Sequence, residues 1–593
     1  MPTNRPDNTI SCSLLMFTIY LIDIIIMAFL IFILLLIPLQ CFSIHIPQEK
    51  IEKWRIIELD FESANDSSNN IELDVCFSTS SGDEIVRPAF WDGGKTYKVR
   101  FAPTKTGIWH WRTVCPNDAS IKNKSGEIEC VSYKGDLDIY KHGFVNIAKG
   151  HKHFSYADGT PFFYLGDTHW SMYREEYDDA GPHLNNGYVQ SHFKYIVDRR
   201  VEQGFTVYQS EPIDAPFNIA DGTIDSKDIP GFKEADKYYQ YIADAGLVHV
   251  NAEFFYVDKL TPVICKNSEK LRKLARYWVA RYGAYPVMWS LAQECDNDFY
   301  SNSGTNKWYD YRNNPWIEIA QYIHKYDAYS HPLSAHQENT VNTTVTGLGS
   351  KFYGMTENNG GASVFLDNDI AVKCGHNWWA AQWSPSLTSK IKSSVVRDYW
   401  NSERPAVNYE GRYCGLWTKD YGARAQAWIS FLSGFCGYGY GAADIWLYKS
   451  NYDTEKASWD GIDSISIADK KAHWPQTVEY ESANQMKYLR YFLTGIKWWK
   501  LTPIFPDEKK FIKTKEAVVY ALSDQYHVLY FYNRNNRTGA IEGLPHNSKM
   551  WFRWFNPRNG KYSKKVYQRI GNDGQLVLPS KPDDSDWILL IKM

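Results

Sequence analysis

The chain has 593 residues, a net charge of −3, and 44% hydrophobic and 22% charged residues, which is typical of a folded protein of several domains and excludes a disordered chain. Aromatic residues reach 16%, with 23 Trp and 42 Tyr, and such flat rings with polar tips suit sugar faces as well as large cores. Because the charge is near zero and no long Lys/Arg run occurs, we expect no nucleic-acid partner.

The N-terminal segment has the pattern of a targeting sequence. Residues 24–38 form an apolar run of 15 residues, which matches a secretory signal and is shorter than the roughly 20 residues that span a membrane. We therefore interpret residues 1–43 as a signal peptide or an N-terminal membrane anchor, with lipidation of Cys41 as an alternative. In each case we expect an exported chain that is periplasmic, extracellular or anchored at the cell surface, and that meets a membrane only if this segment is uncleaved or lipidated.

Residues 45–145 contain short runs in which apolar and polar residues alternate, such as "NIELDVCFST" and "GIWHWRTV". Turn residues separate these runs. Alternation with a period of two is typical of half-buried strands in an antiparallel sheet. The segment therefore predicts an N-terminal, immunoglobulin-like β-sandwich.

Residues 146–490 change to a repeated order of strand, loop and helix. The predicted helices include 268–283 and 316–327, where apolar residues recur at spacings of three and four. Eight strands alternating with helices predict a (β/α)8 barrel. The predicted strands are 162–167, 205–210, 247–255, 286–294, 332–337, 378–383, 405–410 and 437–446.

Residues 495–593 return to alternating runs between turns, among them "HVLYFYNR" and "MWFRWFNP". This pattern predicts a second, C-terminal β-sandwich. The chain is thus expected to be an α/β barrel between two β domains.

Polar and aromatic residues gather at the predicted strand ends. Parallel strands that are buried on both faces should stay apolar, and active sites of such barrels form at the carboxyl ends of the strands. The concentration of carboxylates, amides and indoles there predicts a site. Its candidate residues are Asp167, His169, Trp170, Gln209, Glu253, Gln293, Glu294, His336, Trp383, Tyr409, Glu410 and Trp446.

Two of these carboxylates fit glycoside cleavage. The reaction needs one carboxylic acid to protonate the leaving oxygen and one carboxylate to attack. Glu294 on the fourth strand and Glu410 on the seventh can face each other across a sugar, with Glu294 as acid/base and Glu410 as nucleophile. Glu294 would need its pKa raised by apolar neighbours such as Trp289 or Trp383. The alternative is that each is a solvated loop acid.

Four segments resemble a known family. "FFYLGDTHW", "GFTVYQ", "VMWSLAQE" and "RPAVNYEGRY" are similar, in order and spacing, to the signature segments of apiosidase-like (DUF4038) glycoside hydrolases, whose founding members form glycoside hydrolase family 140. "RFAPTKTGIWHWRT" resembles a DUF5060 β-sandwich, and the C-terminal segment is similar to a small β domain labelled collagen-binding. The resemblance covers nearly everything after residue 45.

The resemblance implies a retaining barrel with its catalytic carboxylates at Glu294 and Glu410. It also places Asp167 and Trp170 in the sugar pocket. Ala292 and Gln293 precede the acid where the family commonly has two glycines, so the resemblance does not imply apiose as the sugar. Gln293 is expected to bond a sugar hydroxyl, with a strand-end backbone contact as the alternative.

Two other functions compete with a retaining hydrolase acting on a complex polysaccharide. Histidines such as His151 and His153 could bind a metal, but this pair lies in a predicted hairpin and no second pair has ligand spacing, so we expect neither metal nor cofactor. The second alternative is a non-catalytic carbohydrate-binding or adhesion protein. Sugar binding would use the same aromatic and polar residues of the cleft and would not need the two catalytic acids.

Overall fold

The computed structural model places the middle of the chain in a closed parallel barrel between two antiparallel β domains. It describes residues 49–65, 70–150, 152–174, 181–182, 188–189, 191–211, 215–217, 219, 222–251, 267–291, 316–334, 336, 378–385, 387, 393–401, 404–446, 456–459, 463–466 and 477–593. Within these ranges, no helix has both the length and the apolar character needed to cross a membrane. The predicted leader lies outside them.

The N-terminal domain consists of two antiparallel sheets, of five and three strands. Its cysteines Cys115 and Cys130 are both buried free thiols. The strands are Glu49–Glu52, Ile57–Glu62, Asp74–Thr79, Glu84–Pro88, Phe90–Trp91, Thr96–Phe101, Gly107–Val114 and Ser125–Val131, and the helix Asp138–His142 follows.

Eight described strands form the barrel, and all their pairings are parallel. Neighbours in the sheet follow chain order, and a parallel bridge between His336 and Ala380 joins the fifth strand to the sixth. The predicted (β/α)8 barrel is therefore confirmed. In chain order the strands, called barrel strands 1 to 8 below, are Tyr164–Thr168, Val207–Ser210, Val248–Asn251, Val287–Ser290, Leu333–Ser334, Trp379–Gln382, Ala406–Glu410 and Gly437–Gly441.

Helices surround the barrel and cover its outer face, which is why the strands are buried on both sides. The two helices predicted near 268–283 and 316–327 are both present. The helices are His192–Glu202, Ile229–Asp244, Ser268–Tyr282, Trp316–Tyr326, Ser393–Asn401, Asp420–Leu432, Ala443–Trp446 and Glu481–Gly495, with 3-10 turns at Met172–Arg174 and Trp498–Lys500.

A small antiparallel sheet closes the amino end of the barrel. Its hairpin contains Phe154, whose ring packs on Tyr164 and Trp378 at centroid distances of 5.8 and 5.7 Å. The strands of this sheet are Val145–Ile147, Phe154–Tyr156 and Pro161–Phe162, and two further hairpins pair Gly181–Pro182 with Tyr188–Val189 and Lys456–Trp459 with Asp463–Ser466. Since one end is closed, the opposite end is left for a site.

The C-terminal domain has a six-stranded antiparallel sheet and a two-stranded one. One face of the large sheet packs on the barrel, where Tyr530 and Phe555 meet Trp428 of helix Asp420–Leu432. The other face has a core of its own. The strands are Thr502–Ile504, Val518–Leu522, Tyr526–Phe531, Ala540–Ile541, Lys549–Phe555, Val566–Arg569, Leu576–Val577 and Trp587–Lys592.

Ion pairs, one largely and one completely buried, fix both β domains to the barrel. Arg100 of the N-terminal domain and Arg281 of helix Ser268–Tyr282 both bond Asp236 of helix Ile229–Asp244, with four contacts of 2.6 to 3.1 Å. Arg424 holds Asp586 of the C-terminal domain through two bonds of 3.0 and 2.8 Å. Such fork-shaped pairs fix orientation as well as distance.

Candidate active site

Glu410 is the last residue of barrel strand 7 and lies at the carboxyl end of the barrel. Only 3% of the residue is exposed. A carboxylate in such a place loses hydration and must be compensated by hydrogen bonds or by a charge. The groups around Glu410 therefore decide what it can do.

Two neutral donors meet one oxygen of Glu410. The indole Nε1 of Trp170 lies 3.4 Å from Oε1, and the phenol of Tyr413 donates a hydrogen bond to the same oxygen. The same indole N–H also donates to the Tyr413 oxygen at 2.9 Å. Burial, and next the charge of Glu410, raise the pKa of Tyr413 well above its ordinary value. Tyr413 therefore keeps its proton and remains a hydrogen-bond donor to Glu410.

The other oxygen of Glu410 faces an imidazole. Nε2 of His336 lies 3.1 Å from Oε2, and His336 is completely buried. Its ring packs edge-on against Tyr409 at 4.9 Å and is tilted over Trp170 at 5.9 Å. These contacts hold the imidazole in one orientation, so both carboxylate oxygens of Glu410 have fixed neighbours.

A second carboxylate lies on the far side of the same imidazole. Glu211, directly after barrel strand 2, is fully buried, and its Oε1 lies 4.0 Å from His336 Nδ1. Its backbone N–H donates to the Trp170 carbonyl at 3.3 Å, which ties the ends of barrel strands 1 and 2 together. The structure thus places Glu211 two contacts from Glu410, with His336 between them.

Gln209, by contrast, fills the interior of the barrel. Its amide accepts from Tyr164 at 3.0 Å and donates to the Tyr409 carbonyl at 3.0 Å. A Cβ on Gly166 or Gly439 would lie 2.3 or 2.8 Å from its oxygen, so only glycine leaves room for the amide. The geometry favours a role in barrel packing, where the sequence predicted a sugar contact.

Asp167 faces a cation of the helical layer. Its Oδ2 lies 2.8 Å from Nε of Arg200 on helix His192–Glu202, and both side chains are completely buried. Burial raises the pKa of Asp167, and the charge of Arg200 opposes this shift. The ion pair gives Asp167 a structural role, where the resemblance implied a place in the sugar pocket. Its neighbour His169 contacts the Tyr208 phenol through Nδ1.

Two tryptophans expected beside Glu294 have partners in the helical layer. Trp289 donates its indole N–H to Asp327 at 2.9 Å, and Trp383 packs on Phe435 at 5.3 Å. Both indoles are buried. Glu294 lies outside the described residues, so the expected effect of these rings on its pKa stays a prediction.

Four candidates cannot be placed. Glu253, Gln293 and Glu294 lie outside the described residues, and so does the side chain of Trp446. Their predicted roles stay predictions. Of the remaining candidates, the structure brings Trp170, His336, Tyr409 and Glu410 together.

Sequence reasoning missed Tyr413. It follows Glu410 by three residues in "NYEGRYCG", beyond the strand end, where a tyrosine is not distinguishable from a loop aromatic. A possible signal was its short spacing from a candidate nucleophile. The contact between Tyr413 and Glu410 depends on the turn after barrel strand 7. The alternation of apolar and polar residues does not predict the shape of this turn.

The described residues contain no group of three or more potential metal ligands. His153, half of the HxH pair, lies next to the predicted hairpin and packs on Trp498 at 5.7 Å; His151 is outside the described residues. His249 is bonded to Ser210 at 2.5 Å, and burial lowers its pKa to about 3.

The sequence matches three family models. "Apiosidase-like, catalytic domain" matches residues 148–500, "Domain of unknown function (DUF5060)" matches residues 50–116, and "Putative collagen-binding domain of a collagenase" matches residues 507–592. The first match covers more than half of the chain. Among curated proteins, none matches this sequence.

Solved structures with the same architecture include two from Bacteroides vulgatus ATCC 8482. A "putative glycoside hydrolase" has a TM-score of 0.62 at 15% identity, over 92% of this chain and 100% of that one. A "glycoside hydrolase family 5" protein has a TM-score of 0.52 at 16% identity, over 77% and 95% of the chains. A third, titled "Glycoside hydrolase", has a TM-score of 0.51 at 14% identity, over 77% and 98%. At these identities the likeness shows the fold.

The family model matches the whole barrel, and a buried carboxylate ends barrel strand 7. Both findings agree with the family that the signature segments resemble. The substrate of such a domain is a carbohydrate. The chain belongs to the apiosidase-like family, and its barrel is the catalytic domain of a glycoside hydrolase.

Proposed function

We propose that the enzyme cleaves glycosidic bonds in a complex polysaccharide by a retaining mechanism, with Glu410 as nucleophile and Glu294 as acid/base. One observation carries the proposal. Glu410 is buried at the barrel mouth, and its Oε1 meets two neutral donors, Trp170 and Tyr413. Such donors hold one oxygen of the carboxylate in place and leave the other oxygen for attack, which is what a nucleophile requires.

In the first step, a Glu410 oxygen forms a bond to the anomeric carbon of the sugar. The bond from that carbon to the leaving oxygen breaks, and the Glu294 carboxyl gives its proton to that oxygen. In the second step, water attacks the anomeric carbon, Glu294 takes a proton from the water, and the bond to Glu410 breaks. The configuration is inverted twice and therefore retained.

The neighbours of Glu410 have separate tasks in this scheme. Trp170 and Tyr413 orient the carboxylate through Oε1, and His336 borders Oε2. Fixed donors cost no reorganisation when the charge moves from the carboxylate to the new bond. The proposal does not specify which sugar is cleaved, because Ala292 and Gln293 replace the usual glycines beside the acid.

Product stereochemistry tests the mechanism. The purified enzyme is screened on a panel of polysaccharides, and proton NMR records the anomer that forms before mutarotation. We expect retention, with a carboxyl separation of about 5 to 5.5 Å between Glu294 and Glu410. Inversion of configuration would refute the double displacement.

Single substitutions test the residues. Glu410→Gln and Glu294→Gln are each expected to abolish turnover, and Glu202→Gln serves as the matched control because Glu202 lies on the exposed face of a barrel helix. On a substrate with an activated aryl leaving group, Glu294→Gln should still form the intermediate, because such a group needs no proton, whereas Glu410→Gln should not. If Glu410→Gln turns over like wild type, the assignment is wrong.

We also propose that the chain is exported through its N-terminal segment. The apolar run at residues 24–38 supports this. N-terminal sequencing of the protein from the secreting cell should show a start after residue 43, or a lipid on Cys41. An intact N-terminus in the cytoplasmic fraction would contradict export.

A further inference from the structure

Two neighbouring strands of the C-terminal domain carry aromatic and basic residues on one face. Strand Lys549–Phe555 has Lys549, Trp551 and Arg553 at alternate positions, and edge strand Val566–Arg569 carries Tyr567 and Arg569. In the register, Trp551 lies opposite Tyr567, and Lys549 lies opposite Arg569. Because alternate residues of a strand point to the same side, these five residues share a face. We call them the basic aromatic patch.

Cations surround the central tryptophan of the patch. Nζ of Lys565 lies 4.5 Å from the centre of the Trp551 ring, and Cζ of Arg553 lies 5.4 Å from it. Tyr567 is 74% exposed and Trp551 is half-buried. The rings therefore present flat apolar surface to solvent, with positive charge on several sides.

The row continues across the sheet. Trp551 lies opposite Lys592, which lies opposite Tyr526, and Nζ of Lys592 is 5.6 Å from the centre of the Tyr526 ring. Tyr567, Trp551, Lys592 and Tyr526 thus form one line over four strands. At a strand spacing of roughly 4.8 Å, the line is roughly 14 Å long, which suits a chain-like ligand better than a single small molecule.

The segment that contains the patch, residues 549–569, is strongly basic. Residues 549–569 contain seven Lys and Arg and no Asp or Glu, although the whole chain has a net charge of −3. Of these seven, Arg558 alone forms an ion pair with a described residue. Like charges directly opposite each other in a sheet, such as Lys549 and Arg569, destabilise the fold. The arrangement is thus unfavourable for folding alone and favours an anionic partner.

Protection of a sheet edge is the competing explanation, because lysines on edge strands oppose pairing with a second chain. This explanation accounts for Lys565 but not for the aromatic residues. Tyr567 is 74% exposed and Val566 is 47% exposed on the edge strand itself. Exposed apolar side chains there would promote association, which is the reverse of edge protection.

We propose that the basic aromatic patch binds a chain of an acidic polysaccharide, separately from the active site. Aromatic faces stack on the C–H faces of sugars, and the surrounding Lys and Arg side chains pair with the acidic groups of the chain. A polysaccharide is favoured over other polyanions because the same protein carries a glycoside hydrolase domain. The proposal does not depend on which carboxylate of the barrel attacks.

Equilibrium binding of the full-length protein to soluble glucans tests the proposal. Carboxymethyl cellulose is compared with hydroxyethyl cellulose, and dextran sulfate with dextran, so that each pair shares a backbone and differs in charge. We expect binding to at least one acidic member, at least roughly tenfold tighter than to its neutral partner, and weaker binding at high salt. Equal affinity within both pairs, or no binding, would overturn the proposal.

Substitutions locate the site. Tyr567→Ala should weaken binding roughly tenfold, the order of one lost aromatic contact, without unfolding the protein because the side chain is exposed. Lys565→Gln with Arg569→Gln should weaken binding and reduce its dependence on salt. Lys509→Gln with Lys510→Gln is the control, since both lysines are exposed in the same domain outside the patch. Unchanged binding by the patch variants would place the ligand elsewhere.

The same binding assay distinguishes an acidic polysaccharide from other anionic or protein ligands. Single-stranded DNA, phosphatidylserine vesicles and denatured collagen are tested with wild type and with Tyr567→Ala. If one of them binds more tightly than every acidic glucan, and Tyr567→Ala weakens that binding, the polysaccharide proposal falls. Glu410→Gln should bind the glucan like wild type, and Tyr567→Ala should hydrolyse short oligosaccharides like wild type, so a failure of either proposal leaves the other testable.

Discussion

The barrel mouth and the layer around the barrel bury charge in opposite ways. In the layer, Asp236 receives four hydrogen bonds from Arg100 and Arg281, so its charge is fully paired. At the mouth, Glu410 receives hydrogen bonds from the neutral groups of Trp170 and Tyr413, and the imidazole of His336 lies 3.1 Å from its other oxygen. A carboxylate paired with two guanidinium groups contributes to structure, whereas a carboxylate that no Lys or Arg among the described residues pairs with stays available for chemistry. The predictions below test this difference.

The largest expected effect is that of Glu410→Gln on turnover. The loss should reach about 10⁴-fold or more in kcat, the order seen when a nucleophile is removed. The melting temperature should stay the same or rise, because an incompletely compensated buried charge is removed. Calorimetry and steady-state kinetics measure both. A large fall in stability would show that Glu410 is a structural group like Asp236.

Asp236→Asn should give the reverse result. Breaking one partner of a buried ion pair costs about 3 to 5 kcal/mol, while kcat should not change at a temperature where the variant is folded. Asp244→Asn is the matched control, because its pair with Arg55 is partly exposed and should be worth about 1 kcal/mol or less. Denaturant unfolding measures the difference. Equal effects of the two variants would contradict the assignment.

Tyr413→Phe removes one donor from Glu410 and keeps the ring. Loss of one fixed donor at a reacting group costs about 10²- to 10³-fold in kcat, and KM should change little. Tyr438→Phe is the control, because Tyr438 is a buried barrel tyrosine whose hydroxyl bonds Gln426 and the Ala423 carbonyl. A Tyr413→Phe variant with full kcat would show that the phenol only packs.

The last effect is on stability alone and concerns pH and His249 of barrel strand 3. Burial lowers the pKa of His249 to about 3 from an ordinary value of 6.5. Below pH 6.5, His249 therefore binds a proton in the unfolded chain but stays neutral in the folded protein. The free energy of unfolding thus falls with decreasing pH down to about pH 3. The slope is about 1.4 kcal/mol per pH unit at most.

His249→Gln should remove this slope without changing the pH dependence of kcat, since His249 contacts Ser210 and Tyr239 and not Glu410. Urea unfolding between pH 4 and pH 7 measures it. A changed pH profile of kcat would place His249 in the chemistry of the mouth and would break the division between the two regions.

The sequence predicted the fold well because both of its signals are local. Alternation with a period of two marked the strands of the flanking domains, and eight apolar runs separated by helices marked the barrel. Even barrel strand 5, which has only two residues, fell within its predicted run, and so did barrel strand 6. Position at a strand end was also enough to select Glu410, Trp170 and His336.

Which way each side chain points was not predictable from strand position. Asp167 and Trp170 stand three residues apart, yet Asp167 meets Arg200 in the helical layer and Trp170 meets Glu410 at the mouth. Likewise, Gln209 turned into the barrel interior. A strand end allows either face, and the choice depends on partners that are distant in the chain.

By itself, then, the sequence determined the architecture, the family signature segments and the carboxylate on barrel strand 7. Only the tertiary structure decided that His336 lies between Glu410 and Glu211, and that Tyr413 reaches back to the carboxylate. It also decided that Lys549, Arg553 and Arg569 lie on one face of the sheet, although the sequence has no long basic run there. The reason is physical: hydrophobic periodicity is written along the chain, whereas the charge and donors around a site come from separate strands that meet only after folding.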